Sequence, residues 1–381
     1  MMLPTSLHRR VHFLNFSRTL TVTSLLFLLP LYFVRLGFSG WQIGAIISLL
    51  SLAPLLSAFP TGWINDRFSI DGVVRAGLLV VALVLLTLAF AVNFTAVAAA
   101  FFVLGIATNV LDVSLSSLIY KDETDMDQNR KYGQYVFWLG FGPALGIAGG
   151  GLLTQIVDFR ALLLVFGAIM LAAVFAVRRL DAGKFHLVSL RDYGRDFRRP
   201  KTLRFAVFVF FLGLHWAVEG TVYGPFLERR FGLNTLQTSL YMAAGIAFLA
   251  LAALFIGWCK FDLRANRRLL LGAMVLSGAG LILMTTGNVF QSLLFRIIHD
   301  FGDGAMGVLI ALYTSRLFEK RSIGGSAGLL LAIQILAKMA GAMIFSPLGF
   351  RYGLQIPFLI AGALLLADAA YGALIFKRVE Y

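Results

Sequence analysis

The sequence predicts an all-α membrane protein of twelve spanning helices arranged as two pseudo-symmetric six-helix bundles, and three observations carry that prediction. Of 381 residues, 59% are hydrophobic and 14% charged, with mean hydropathy +0.84. That composition excludes a water-soluble globular chain. Apolar runs of roughly 20 residues, the length that crosses a bilayer core about 30 Å thick, recur from Val11 to Phe376. Basic residues gather in alternate connections, the pattern that orients a multi-pass chain.

Taken in order, the apolar windows place spans near 12–35, 41–63, 73–92, 95–119, 133–156, 159–177, 204–228, 235–259, 267–286, 289–316, 324–348 and 354–376. The first follows Arg9 and Arg10, exceeds a signal-peptide core and lacks a small-residue cleavage site, so it is read as a permanent span. With the N-terminus inside, the cytoplasmic connections collect Arg67, Arg75, Lys121, Arg130, Lys131, Arg178, Arg179, Lys184, a cluster at 191–204, Lys260, Arg264, Arg267, Arg268, Arg316, Lys320, Arg321, Lys377 and Arg378. The other side holds Arg35, Arg160, Arg229, Arg230 and Arg351. This ratio of about five to one places both termini in the cytoplasm and assigns the formal charge of +14 to topology rather than to nucleic acid.

The longest polar stretch, Arg178 to Arg204, divides the chain into a bundle of residues 1–178, a cytoplasmic linker of 179–203 and a bundle of 204–381. A shift of 195 residues aligns Pro30 with Pro225, Arg35 with Arg230, Gly37 with Gly232 and Gln42 with Gln237. It also sets Gly62-Trp63 on Gly257-Trp258 and Gly77 on Gly272, without a gap. Matches of Pro, Arg, Gln and Trp in one register mark an internal repeat, and parallel repeats are a known transporter plan.

After the second span the chain reads Gly62-Trp63-Ile64-Asn65-Asp66-Arg67-Phe68-Ser69, with Arg75 further on. This resembles the G-x-x-x-D-R-x-G-R-[RK] loop motif of the major facilitator superfamily at Gly62, Asp66 and Arg67. Ser69 replaces the usual glycine, and the basic residue comes late, at Arg75. The second-half counterpart, Gly257 to Arg264, has its acid, Asp262, displaced by one residue. The resemblance implies a conformational latch formed by Gly62, Asp66, Arg67 and Arg75. In the fifth span, Gly142-Pro143 and Gly146 resemble the G-P-x-x-G motif associated with antiporters, and small residues there suit close helix packing. The resemblance covers essentially the whole chain.

Charge inside a membrane is costly and marks function or pairing. Arg18 in the first span and Asp112 in the fourth lie at similar depth and can pair. The seventh span carries His215 and Glu219 with i,i+4 spacing. The tenth carries Arg296, His299, Asp300 and Asp303, as two further i,i+4 pairs. The resemblance implies that spans 1, 4, 7 and 10 line a central cavity. Lys338 and Asp368 are additional candidates, and Trp138 and Trp216 are cavity or packing residues. Imidazole and buried carboxyl groups suit proton transfer, so coupling is expected through Glu219, His299 and Asp303, with Asp112 and Arg18 as the alternative pair. Asn93-Phe94-Thr95 matches a glycosylation acceptor.

The single cysteine, Cys259, forms no intrachain disulfide, and no zinc spacing, nucleophile–base set or P-loop appears. No catalytic residue, resident metal or cofactor is expected. The expected function is proton-coupled transport of a small organic or amphiphilic solute by alternating access. The partners are that solute, protons and the lipid bilayer, in a monomer of a bacterial cytoplasmic membrane. Export by antiport is preferred. Symport of a sugar or organic anion, held by Arg18, Arg296 or Lys338, is the alternative. A receptor or a lipid-modifying enzyme stands outside both, as does divalent-metal transport through His215, Glu219, His299 and Asp303.

Overall fold

The first predicted span is helical but does not keep one pitch. In the computed structural model, which describes residues 6–124, 126–177, 180, 188–259 and 263–376, α1 (Ser6–Arg18) leads into a π-helical turn (Thr19–Thr23) and then α2 (Ser24–Arg35). Hydroxyl groups account for the change. Thr19, Thr21 and Ser24 each bond the carbonyl four residues back, competing with the backbone ladder.

Next come α3 (Gly40–Arg67), α4 (Ile70–Leu88), α5 (Phe94–Lys121), α6 (Gln128–Leu153) and α7 (Phe159–Ala176). Asn93 accepts a bond from the Ala96 N–H and so caps α5, a structural role for that side chain. The predicted linker contains a short helix, α8 (Leu190–Arg198), which buries Tyr193 and Asp196. Arg178, Arg179, Lys184, Lys260, Asp262, Lys377 and Arg378 lie outside the described residues.

The seventh predicted span is three segments, α9 (Pro200–His215), α10 (Ala217–Thr221) and α11 (Tyr223–Phe231), broken at Trp216 and Val222. Gly220, β-branched Thr221 and Val222, Gly224 and Pro225, which has no N–H to donate, leave this stretch little helical preference of its own. There follow α12 (Thr235–Trp258), α13 (Leu263–Leu283), α14 (Val289–Leu317), a 3₁₀ turn (Lys320–Ser322), α15 (Ile323–Tyr352) and α16 (Ile356–Ile375). Among the described residues ten helices are long and apolar enough to cross a membrane. The two other predicted spans fall on the hydroxyl-interrupted run Ser6–Arg35 and on α14, whose charges lower its hydropathy.

Contacts gather the chain into two compact units. One comprises Met1–Thr124, Phe141–Ser189 and Phe318–Ala332, the other Asp125–Gly140, Leu190–Leu317 and Ile333–Tyr381. In the first, α3 and α4 pack on α5, and α4 also on α7. In the second, α13 packs on α14 and α16, α12 on α14, and α9 on α16. The repeat register is visible in local chemistry. Gly37 (φ 73°) and Gly232 (φ 68°) both take the left-handed conformation that favours glycine. Ser39 and Asn234 then donate their backbone N–H to Gln42 and Gln237, each at 2.9 Å, at the starts of α3 and α12.

Candidate functional site

In the first unit, Asp66 is buried at the end of α3 and pairs with Lys121 at 2.8 Å. Its two oxygens also accept the backbone N–H of Gly324 (3.1 Å) and Gly325 (2.8 Å), so one carboxylate caps the start of α15 and favours its dipole. A side chain at position 62 would strike the Gly324 backbone, which explains Gly62. The arginines of the same motif go elsewhere. Arg67 stacks on Trp63 at 4.3 Å and donates to the Val188 carbonyl, and Arg75 donates to the Val177 carbonyl at 3.0 Å. Lys121 was not legible as a latch residue, because it lies 55 positions from Asp66 on another helix.

Arg18 and Asp112 meet at 2.5 Å, with Arg18 also donating to Asn15 at 3.0 Å. Gly142 and Gly146 place α6 against the Thr19–Ser24 turn, where a side chain at either position would collide with Thr19 or Ser24. Pro143 lies inside α6, which runs on through it.

The second unit holds the denser cluster. Arg296 donates to Glu219 at 2.8 Å, pairs with Asp300 through Nε, and lies over the Tyr223 ring at 4.8 Å. Gly245 leaves the space that the Arg296–Asp300 pair fills. His299 and Asp303 are buried on the same helix, where Gly280 and Gly302 let α13 and α14 approach closely. That approach delivers Ser277. Its hydroxyl donates to Asp303 Oδ1 at 2.6 Å and lies 2.8 Å from His299 Nδ1. Trp216, at the break in its span, donates its indole N–H to Asp303 Oδ2 at 2.5 Å. Lys338 sits over the face of that same indole, Nζ 4.7 Å from the ring centre. Asp368 is buried on α16, with no hydrogen-bond partner for either oxygen among the described residues.

Donor–acceptor chemistry fixes how protons are arranged here. A carbonyl oxygen only accepts, so His215 Nδ1 donates to the Leu212 carbonyl (2.5 Å) and His299 Nδ1 to that of Ser277 (3.0 Å). Each Nε2 then faces a carboxylate: His215 the Oδ2 of Asp303 at 3.4 Å, His299 the Oε1 of Glu219 at 3.1 Å. Lone pair against lone pair is repulsive, so each contact requires a second proton on the imidazole or on the acid. The donor atoms of His215, His299 and Asp303, and those of Glu219, His299 and Asp300, also lie within 4.8 Å of one another, close enough for a metal ion. Glu219, whose side chain is 26% exposed, is the most accessible acid of the group.

Ser277 and the indole N–H were the parts that sequence reading missed. Serine is common in membrane helices, and neither pattern nor spacing ties position 277 to 303 across two helices.

A search of curated proteins returned no match. Among solved structures, the human organic anion transporter MFSD10 (TETRAN) aligns with a TM-score of 0.78 at 16% identity, over 97% of this chain and 100% of that one. The E. coli fucose:proton symporter FucP aligns at 0.75 and 12%, over 97% and 98%. At such identities the likeness speaks for the fold alone. The family model of the Major Facilitator Superfamily matches residues 11–261, well over half of the sequence. The chain therefore belongs to the Major Facilitator Superfamily, as an integral multi-pass membrane transporter and not an enzyme.

Proposed function

We propose that this transporter is proton-coupled and carries a small organic or amphiphilic solute by alternating access, with bundles 1–178 and 204–381 rocking about a central site. The observation that supports this most is the pair of histidine edges, each facing a carboxylate inside spanning helices, His215 toward Asp303 at 3.4 Å and His299 toward Glu219 at 3.1 Å. A solute or a conformational change that separates His299 from Glu219 releases or takes up a proton, which is what coupling requires. The positive-inside pattern supports cytoplasmic termini, and the short connections suit a bacterial cytoplasmic membrane and a monomeric carrier.

Export by antiport rests on the glycine–proline stretch of α6, for which packing on the Thr19–Ser24 turn is a sufficient reason. Symport with an organic anion is the second reading, favoured by Lys338 beside the cluster. The test uses proteoliposomes containing a trapped pH dye, challenged with fucose, benzoate and tetraphenylphosphonium. The protein should move protons with one of these solutes. Glu219→Gln and Asp303→Asn should abolish accumulation driven by a pH gradient while leaving downhill exchange. Coupling that survives neutralisation of Asp112, Glu219, His299 and Asp303 together would sink the reading. Saturable binding of Zn²⁺, lost on replacing either histidine, would assign the cluster to metal.

A further inference from the structure

We infer that α8 docks on the anionic surface of the membrane, with Arg191, Arg195 and Arg198 set against the phosphates of acidic lipids such as phosphatidylglycerol. This rests on the cytoplasmic placement of residues 179–203, because the cytoplasmic leaflet carries the negative surface potential.

The three arginines stand at i, i+4 and i+7, which brings them within about 60° of one another around a helix of 3.6 residues per turn. All three are exposed. The other side of α8 is occupied by its own unit, since Tyr193 and Asp196 are buried and the helix packs on α9. Asp196 pairs with Arg199 at 3.0 Å, so the inward acid is answered by an arginine outside the stripe. Asp192 meets Arg195 at 3.2 Å at the edge of the stripe, and Arg195 still keeps 60% of its side chain exposed. Arg191 and Arg198 make no ion pair among the described residues. Gly194 borders the stripe with open space around it, so no side chain screens the arginines there. Like charges three and four residues apart on one helix face repel, a cost that a negatively charged surface offsets.

Position selects the occupant. The spanning helix α9 begins at Pro200, two residues after Arg198. With nine residues α8 is about 14 Å long, so even Arg191 stays near the point where the chain enters the bilayer. The headgroup layer is roughly 5–8 Å deep on each side, and the surface field extends about 8 Å further at physiological salt. Leu190, 63% exposed at the start of the helix, supplies an apolar contact suited to that interface. An acidic soluble protein would meet the same stripe, but acidic lipid is already beside it at high local density. A basic segment next to a span attracts such lipid by charge, so the stripe reads charge rather than guanidinium shape.

The experiment places a fluorophore sensitive to polarity beside the stripe, on the cysteine of a Cys259→Ser, Gly194→Cys protein. The labelled full chain is inserted in nanodiscs of phosphatidylcholine, alone or with about 30% phosphatidylglycerol. Both faces of a nanodisc carry the same lipids, so the direction of insertion does not enter. Emission should move to the blue and rise about twofold in the acidic nanodiscs only, and about 1 M NaCl should cancel the change. Changing Arg191, Arg195 and Arg198 together to Gln should abolish it, and changing all three to Lys should keep it. Inorganic phosphate added to neutral nanodiscs should produce no shift. The lipid and salt comparisons need no arginine variant and hold if the triple variant does not fold.

Equal emission in neutral and acidic nanodiscs overturns the inference and leaves the stripe to an acidic soluble partner. A shift that survives the three glutamines, or one that inorganic phosphate reproduces, overturns it too. Failure of the cytoplasmic placement looks different: the lipid-dependent shift is present, yet a membrane-impermeant maleimide labels Gly194→Cys from outside intact cells.

Discussion

Arg296 shows how a fully buried charge is held in a spanning helix. Its guanidinium is shared between Glu219 and Asp300 and rests on the Tyr223 ring, so its charge is met on three sides. Removing it leaves Asp300, itself buried, without a counter-charge. Arg296→Met should therefore destabilise the protein by roughly 3–5 kcal/mol, and Arg296→Met with Asp300→Leu should recover most of that loss, as read by unfolding in detergent. A double variant no better than the single one would mean that Asp300 is already neutral. The candidate residues were legible here because charge is rare in such a sequence. Their partners were only half legible: i,i+4 spacing pairs Arg296 with Asp300, but nothing in the spacing brings Glu219 from another span onto both Arg296 and His299.

At the scale of elements, small and hydroxyl side chains decide how closely helices approach. The π-helical turn at Thr19–Thr23 and the glycines of α6 fit each other, with Gly142 at Thr19 and Gly146 at Ser24. Gly146→Ile drives a branched side chain into Ser24 and the Leu20 backbone. It should cost about 1–3 kcal/mol, seen as a lower melting temperature, with Gly149→Ile, where open space surrounds the position, as the control. Equal effects at 146 and 149 would remove the packing account. The break at Trp216 belongs to this scale too. Apolar periodicity reads continuously across 204–228, and only the backbone shows that the span is three segments.

For the whole molecule, Asp66 is the position where a local contact has the widest reach. It ties α3 to α5 through Lys121 and caps α15, a helix whose first part, to Ala332, belongs to one compact unit and whose remainder belongs to the other. If the motif is a latch, Asp66→Ala should shift the balance of carrier conformations. Cys259, the single cysteine and partly accessible, reports this through its alkylation rate, which should change by about tenfold or more. An unchanged rate would confine Asp66 to capping.

Composition, the multi-pass membrane class and the 195-residue repeat follow from the sequence alone, because bilayer thickness and charge cost act on any spanning segment whatever its neighbours. The motif at Gly62–Arg67 carried the family in the same way, through residue types at fixed spacing. Tertiary structure decided the rest: that Lys121 and not Arg67 answers Asp66, that Ser277 joins His299 to Asp303, and that one indole touches both an acid and a lysine. Those contacts join residues tens to hundreds of positions apart, and hydrogen bonds and ion pairs act only over a few ångströms, so only the packing of the helices could choose the partners.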